Sequence, residues 1–320
     1  MTLLAAVSML AAMSLVALFK PNGPSGFGFR STAEDVTRGL SLRGKTILIT
    51  GSNSGIGLET VRVLALRGAH VLAAARTEDK ARAACAGFAG EIVPLACELS
   101  EPRSVRACVA AVQRLGAKLD AVVCNAGIMA LPRLEQAFGY ELQFFTNHIG
   151  HFLLVTGLLN DLADNGRVVM LSSAAHARAP RGVGIEFDNL SGQQRYDPWV
   201  AYGQSKLANL LFAKELAKRL AGTRKTANAV HPGVINTNLA RSRPLIAFAM
   251  HIAEPIGFKS IAQGAATQCY VATHPKLEGV TGEYFADCNV ARSTRRSRDA
   301  ELAARLWAES ERIVAELPGT

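Results

Sequence analysis

The chain has 320 residues, 49% of them apolar, which is enough to bury a sizeable core without staples and points to one large α/β domain. Lysine and arginine exceed aspartate and glutamate, 35 against 26, but the arginines are mostly scattered. The one compact run, 292–298, alternates with Ser and Thr and lacks interleaved aromatics, which argues against nucleic acid as a partner. The six cysteines, Cys85, Cys97, Cys108, Cys124, Cys269 and Cys288, form no C-x-x-C pair and no cluster with histidine, so neither a metal site nor a disulfide framework is expected.

At the N-terminus, residues 2–19 carry no charge and are followed by Lys20 and a Pro/Gly-rich stretch over 21–29. The run is close to the roughly 20 apolar residues that a membrane helix needs, so membrane association through an uncleaved anchor is the expectation. A cleaved signal and a segment packed on the protein itself are the alternatives. For an anchor, Lys20, Arg30 and Arg38 all lie on its C-terminal side, which puts the main domain in the cytosol, at the endoplasmic reticulum or another intracellular membrane in a eukaryote. The expected organisation is therefore 1–20 anchor or signal, 21–41 linker and 42–320 a single domain.

Within that domain, short β-branched or apolar runs alternate with longer helical patterns. The patterning predicts strands at 46–50, 70–75, 92–96, 121–124, 167–171, 226–230 and 283–286, and helices near 56–67, 78–88, 104–115, 134–159, 200–220 and 261–273. Seven strands with intervening helices suit one doubly wound, Rossmann-type parallel sheet with helices on both faces. Such sheets bind ligands at the carboxyl ends of their strands, so functional residues belong just after strands.

The first strand runs into Gly51-Ser52-Asn53-Ser54-Gly55-Ile56-Gly57 and then a helical pattern. Glycines there permit a tight turn and a close approach to a pyrophosphate, whose charge the helix N-terminus stabilises. The second strand ends in Arg76 where enzymes that prefer NAD place an acidic residue. A guanidinium can hold a 2′-phosphate, so NADP(H) is expected over NAD(H); the plainer reading is an arginine that starts the next helix in water.

Tyr202 and Lys206 lie four residues apart in the pattern 200–220, one turn apart on one helix face. A nearby ammonium favours phenolate, bringing a phenol of ordinary pKa about 10 toward acid/base work. Alone, this spacing fits an amphipathic helix with an exposed lysine. Upstream, however, the strand 167–171 ends in Ser172-Ser173, which offers a hydroxyl to a substrate oxygen, and Asn147 interrupts the apolar stretch 144–154.

Taken together these residues resemble the short-chain dehydrogenase/reductase family over roughly 41–290. Thr50-Gly51-x-x-x-Gly55-Ile56-Gly57 resembles its cofactor loop, Asn125-Ala126-Gly127 its strand-four motif, and Asn147, Ser173, Tyr202 and Lys206 its catalytic tetrad. His231-Pro232-Gly233-Val234 through Thr237 resembles the loop at the nicotinamide end. The segments 147–152, 172–176, 205–209 and 263–267, with the tail from Leu277 to Trp307, are similar to the retinol-dehydrogenase and WW-domain-oxidoreductase branch, without its WW modules. Two positions depart from the family pattern: Cys124 stands for the first Asn of N-N-A-G, and Glu98, followed by Leu99, stands for the Asp that touches adenine.

The resemblance implies an NADP(H)-dependent interconversion of an alcohol and an aldehyde or ketone. In it Tyr202 transfers the proton and Ser173 holds the carbonyl oxygen. Lys206 binds the nicotinamide ribose and lowers the Tyr202 pKa, and Asn147 anchors a water that leads protons to Lys206. The apolar stretch 241–258, with Leu245, Ile246, Phe248, Met250 and Ile252, is expected to cover a small lipophilic substrate of retinoid, steroid or polyprenoid type; packing on the core or between subunits is its alternative role. A non-catalytic NADP(H)-binding scaffold is the competing function, and a homo-oligomer is among the assembly states left open.

Overall fold

The computed structural model describes residues 21–235 and 258–318. The segment 2–19 and Thr237, together with all but Phe258 of the stretch expected to cover the substrate, lie outside the described residues.

Thr46–Thr50 (β1), His70–Ala75 (β2), Glu91–Ala96 (β3), Leu119–Cys124 (β4), Leu162–Leu171 (β7), Thr226–His231 (β8) and Tyr284–Ala286 (β9) form the parallel sheet, in the order β9-β8-β7-β4-β1-β2-β3. Pairing runs in register from β1 to β2 (Thr46 beside His70, Thr50 beside Ala74) and from β7 to β8 (Arg167 beside Thr226). One correction concerns strand number: Asn289–Val290 (β10) adds an eighth, antiparallel strand at the β9 edge. Its turn uses Asp287 and Cys288 at positive φ, 51° and 63°, so two residues rather than a crossover helix reverse the chain.

Strand residues alternate between two buried faces. Leu48, Leu72, Val122 and Val168 point to one side, where they meet Phe152, Phe212 and Trp307; Ile47, Ile49, Val71 and Val169 point to the other, against Val61, Leu64 and Tyr270. The first face is covered by Pro102–Arg114 (α4), Gly150–Leu158 (α6), Pro198–Arg219 (α7) and Ala300–Glu316 (α9), and the second by Ala33–Val36 (α1), Gly55–Leu66 (α2) and Ile261–Thr273 (α8). Glu78–Cys85 (α3) follows β2 behind its Thr77 cap.

Three other expectations change. The stretch 21–41 is not a bare tether: Thr32 and Asp35 close a reciprocal capping box at α1, and Phe27 stacks edge-on against Tyr270 at 5.6 Å. The predicted helix 134–159 starts late, because Phe138 and Gly139 take positive φ and close a small hairpin, Gln136–Ala137 (β5) with Tyr140–Glu141 (β6). Glu141 then caps Leu142–Phe144 (α5), and the helix passes through a π-turn, Phe145–Ile149, before α6. Helix α9 was not predicted, although Asp299 caps it and Ala303, Leu306, Trp307 and Ile313 form its buried stripe.

Candidate active site

At the carboxyl edge of the sheet, β1 ends in Thr50 and the chain turns at Gly51, φ +68°. Two positions of this loop leave no room for a side chain. A Cβ on Gly51 would stand 2.9 Å from the Ala126 Cα, and one on Gly57 would run into the Gly51 carbonyl. Gly55, by contrast, opens α2 with clear space where a Cβ would project, and Ser54 makes no side-chain cap there. Free first-turn N–H groups facing open space form a cradle for a pyrophosphate. Ser52 is buried and fastened to β2, its N–H and Oγ donating to the Ala74 carbonyl at 3.0 and 2.9 Å, while Asn53 and Ile56 stay half-buried along the loop.

Arg76 is exposed, one residue beyond the end of β2. Glu98 is committed locally: its carboxylate accepts from the Ser100 hydroxyl at 2.9 Å, and its N–H donates to Ser104 Oγ at 2.9 Å. Leu99 beside it is buried, with its carbonyl against Gly150. Asn125 donates through Nδ2 to the Thr50 carbonyl at 2.8 Å, and its buried Oδ1 has no protein partner among the described residues. That orphaned acceptor beside the glycine turn, with half-buried Ala126 and exposed Gly127 next to it, fits a site completed by a dinucleotide.

The four candidate catalytic residues come from three elements and converge beyond β4 and β7. Tyr202 and Lys206 stand on α7, whose N-terminus Asp197 caps by accepting from the Trp199 and Val200 N–H groups. Lys206 is buried and donates to the Leu171 carbonyl at 3.1 Å; its Nζ lies 5.7 Å from the centre of the Tyr202 ring. Ser172 pins the same helix by donating to the Lys206 carbonyl at 2.7 Å, which leaves Ser173 to face Tyr202. Asn147, fully buried in the π-turn, accepts from the Ile128 N–H at 2.8 Å and donates to the Ile128 carbonyl and Ser205 Oγ, each at 2.9 Å.

Burial sets the electrostatics. It lowers the Lys206 ammonium to about 8, because a charged form loses solvation. It also pushes the Tyr202 phenol up to about 12, and the hydrogen bond with Ser173 works the other way. Of these two influences on the phenol, burial is the larger, so it lies above its ordinary value.

The loop after β8 is only partly described. Gly233 takes φ +94° and lies on the aliphatic part of Lys259, Pro232 is half-buried and Val234 exposed. His231 accepts from the Ala174 N–H at 3.3 Å, which ties this loop to the one carrying Ser173.

Ser205 and His151 carry no signal of their own in the sequence, and Ser172 is separated from Ser173 only by its bond to the Lys206 carbonyl. All three lie in the branch-like segments 147–152, 172–176 and 205–209, but contacts across 58 residues, as between Asn147 and Ser205, have no local signature.

A parallel sheet ordered in this way, with a glycine cradle after its first strand, defines a dinucleotide-binding Rossmann-type fold. The family model described as short chain dehydrogenase matches residues 45–245. Similar curated proteins include short-chain dehydrogenase TIC 32 B, chloroplastic, from Brassica napus, 44% identical over 92% of this chain and 97% of that one. Retinol dehydrogenase 12 from Mus musculus is 41% identical over 85% and 86%. Among solved structures, an uncharacterised protein from Mycobacterium paratuberculosis has a TM-score of 0.72 at 35% identity, covering 89% of this chain and 98% of that one. The chain belongs to the short-chain dehydrogenase/reductase family of oxidoreductases, in its retinol-dehydrogenase-like branch. The family acts on small substrates with a nicotinamide cofactor.

Proposed function

We propose that this chain is an NADP(H)-dependent reductase/dehydrogenase that interconverts an alcohol and an aldehyde or ketone on a lipophilic substrate of retinoid, steroid or polyprenoid type. The observation that carries the reading is the convergence of Ser173, Tyr202, Lys206 and Asn147 on the cradle side of the sheet, with Asn147 and Lys206 fixed by hydrogen bonds.

A bound nicotinamide supplies or takes up the hydride. The chain's own residues do the rest. Tyr202, a protonated phenol at neutral pH, donates its proton to the carbonyl oxygen in reduction and takes it back in oxidation. Ser173 fixes that oxygen beside the phenol, and Lys206, protonated below about 8, presents positive charge between the phenol and the cradle. Residues 51–57 with Asn125, Ala126 and Gly127 would hold the pyrophosphate and its surroundings, Glu98 and Leu99 would border the adenine, and Pro232, Gly233, Val234 and Thr237 would border the nicotinamide. Arg76 reads the 2′-phosphate.

A retinol-dehydrogenase relative at 41% identity supports the lipophilic substrate class, and the uncharged segment 2–19 supports a membrane anchor with the catalytic domain in the cytosol. The experiment is a panel of lipophilic carbonyls and alcohols assayed with NADPH and NADH. Turnover with preference for NADPH is expected; cofactor binding without turnover of any compound would favour a non-catalytic scaffold instead. Removal of residues 1–20 should release the protein from membranes with turnover retained. Full-length protein that fractionates as soluble after carbonate washing would remove the anchor.

A further inference from the structure

Two buried histidines lie one turn apart on the helix that carries Asn147, and they do different work. His148 turns toward α9, 2.8 Å from Ser310 Oγ. His151 turns toward the site: its Nε2 lies 2.9 Å from Thr50 Oγ1 and its Nδ1 lies 2.9 Å from the Asn147 carbonyl.

The protons in this chain of contacts can be assigned. The Thr50 oxygen already accepts two backbone donors, the N–H groups of Asn125 and Ala126, both at 3.0 Å. Its own hydroxyl proton therefore goes outward, to a lone pair on His151 Nε2. With Nε2 accepting, the ring proton is on Nδ1, aimed at the Asn147 carbonyl, which can only accept. A proton on Nε2 would strand the Thr50 hydroxyl hydrogen and turn the Nδ1 lone pair against a carbonyl oxygen. Both faults are costly in a fully buried site. Burial, which holds the imidazole down to about 4, agrees with a neutral ring.

From Asn147 the path continues. Its Nδ2 donates to Ser205 Oγ at 2.9 Å, and Ser205 donates to the Tyr202 carbonyl at 2.8 Å. We propose that His151 is a positioning residue, a neutral Nδ1-protonated imidazole that sets the glycine cradle, through Thr50, in register with Asn147 and the Tyr202 turn. The inference rests on the function proposed above. Asn125 and Ala126 tie the β4 loop to Thr50, and Ser205 ties the Asn147 helix to α7. His151, with an acceptor at one end and a donor at the other, adds the direct link from Thr50 to the Asn147 turn.

Two measurements test this. In the intact protein with ¹⁵N-labelled histidine, the His151 ring should show the Nδ1-protonated neutral tautomer from mildly acid to mildly alkaline pH. A proton on Nε2, or titration near the ordinary histidine value, would overturn the assignment whether or not the protein is an active reductase. In kinetics, His151→Phe keeps a ring of similar size and loses both contacts. Misplacement of catalytic groups on the order of 1 Å costs about a hundredfold, so kcat should fall between tenfold and a hundredfold with a smaller change in KM. His151→Asn, whose amide can still reach the Asn147 carbonyl, should recover part of the loss. The burial-matched His148→Phe should lower Tm without lowering kcat. Wild-type kcat in folded His151→Phe, or equal kcat losses in the His148 and His151 variants with no recovery by His151→Asn, would make His151 an ordinary core histidine. Wild-type protein inactive on every compound, with the tautomer as assigned, would instead fault the proposed reaction and leave the bridge standing. If His151→Phe does not fold, the tautomer measurement decides.

Discussion

The two ends of one sheet treat polar side chains in opposite ways. At the amino end a shallow cavity of about 500 Å³ gathers Lys45, Lys118, Asp120, Asp164, Arg224 and Lys225. There Lys45 pairs with Asp120 at 2.9 Å, Arg224 reaches Asp164 at 3.7 Å, and Lys118 and Lys225 donate to the Asn160 and Leu159 carbonyls just beyond α6. These groups are solvated at one side, and each has a partner within reach. At the carboxyl end Thr50, Asn147, His151, Ser205 and Lys206 are buried, and each bond fixes the direction of the next. Charge in water is forgiving, while a buried polar chain is not, because each unmatched member bears its full desolvation cost. Density of charge is thus a poor guide to where this molecule does chemistry.

The sharpest way to break that contrast is Tyr202→Phe. Loss of the proton donor should lower kcat by about 10²–10⁴-fold while cofactor affinity, measured by fluorescence titration, is retained. Full turnover on a verified substrate would end the assignment. Titration of Lys206 should come next: its ammonium is the form present below about 8, so kcat/KM for the cofactor, which reports the free protein, should decline as pH rises through that value. A profile that stays flat well above it would show that the ammonium is not the working form.

Steric constraint at the same end is tested by Gly57→Ala. The new methyl meets the Gly51 carbonyl, backbone that cannot swing aside, so overpacking of about 1–3 kcal/mol is expected as a lower Tm and weaker cofactor binding. An unchanged Tm and cofactor affinity would mean the loop has room to spare. Arg76→Ala should weaken NADPH more than NADH by about 1.5–3 kcal/mol, and equal losses would show that Arg76 does not read the phosphate. The smallest effect belongs to the amino end, where Arg224→Ala removes an exposed ion pair and should cost no more than about 1 kcal/mol, with kcat untouched. A large loss of activity there would erase the contrast between the two ends.

Much of this was legible in the chain. The parallel sheet and the cradle follow from local facts, period-2 and period-3.6 patterns with glycines at the first strand's end, and each such pattern is a few residues long. Where local signals were overlooked or overridden, boundaries moved: Phe138 and Gly139 close a hairpin inside an apolar run that reads as helix, and α9 carries a clear stripe that the strand and helix assignment passed over.

By itself the sequence put Tyr202 and Lys206 on one helix face, through spacing alone, and Gly51 to Gly57 in one contiguous turn after the first strand. Only the tertiary structure decided their electrical state. The sequence puts an ammonium beside Tyr202 and suggests a lowered phenol pKa, yet burial is a property of everything packed around the ring, and it pushes the phenol up to about 12. The same holds for His151. Its neighbours in the chain are Gly150 and Phe152, whereas its tautomer is set by a threonine 101 residues away that has spent both lone pairs on Asn125 and Ala126.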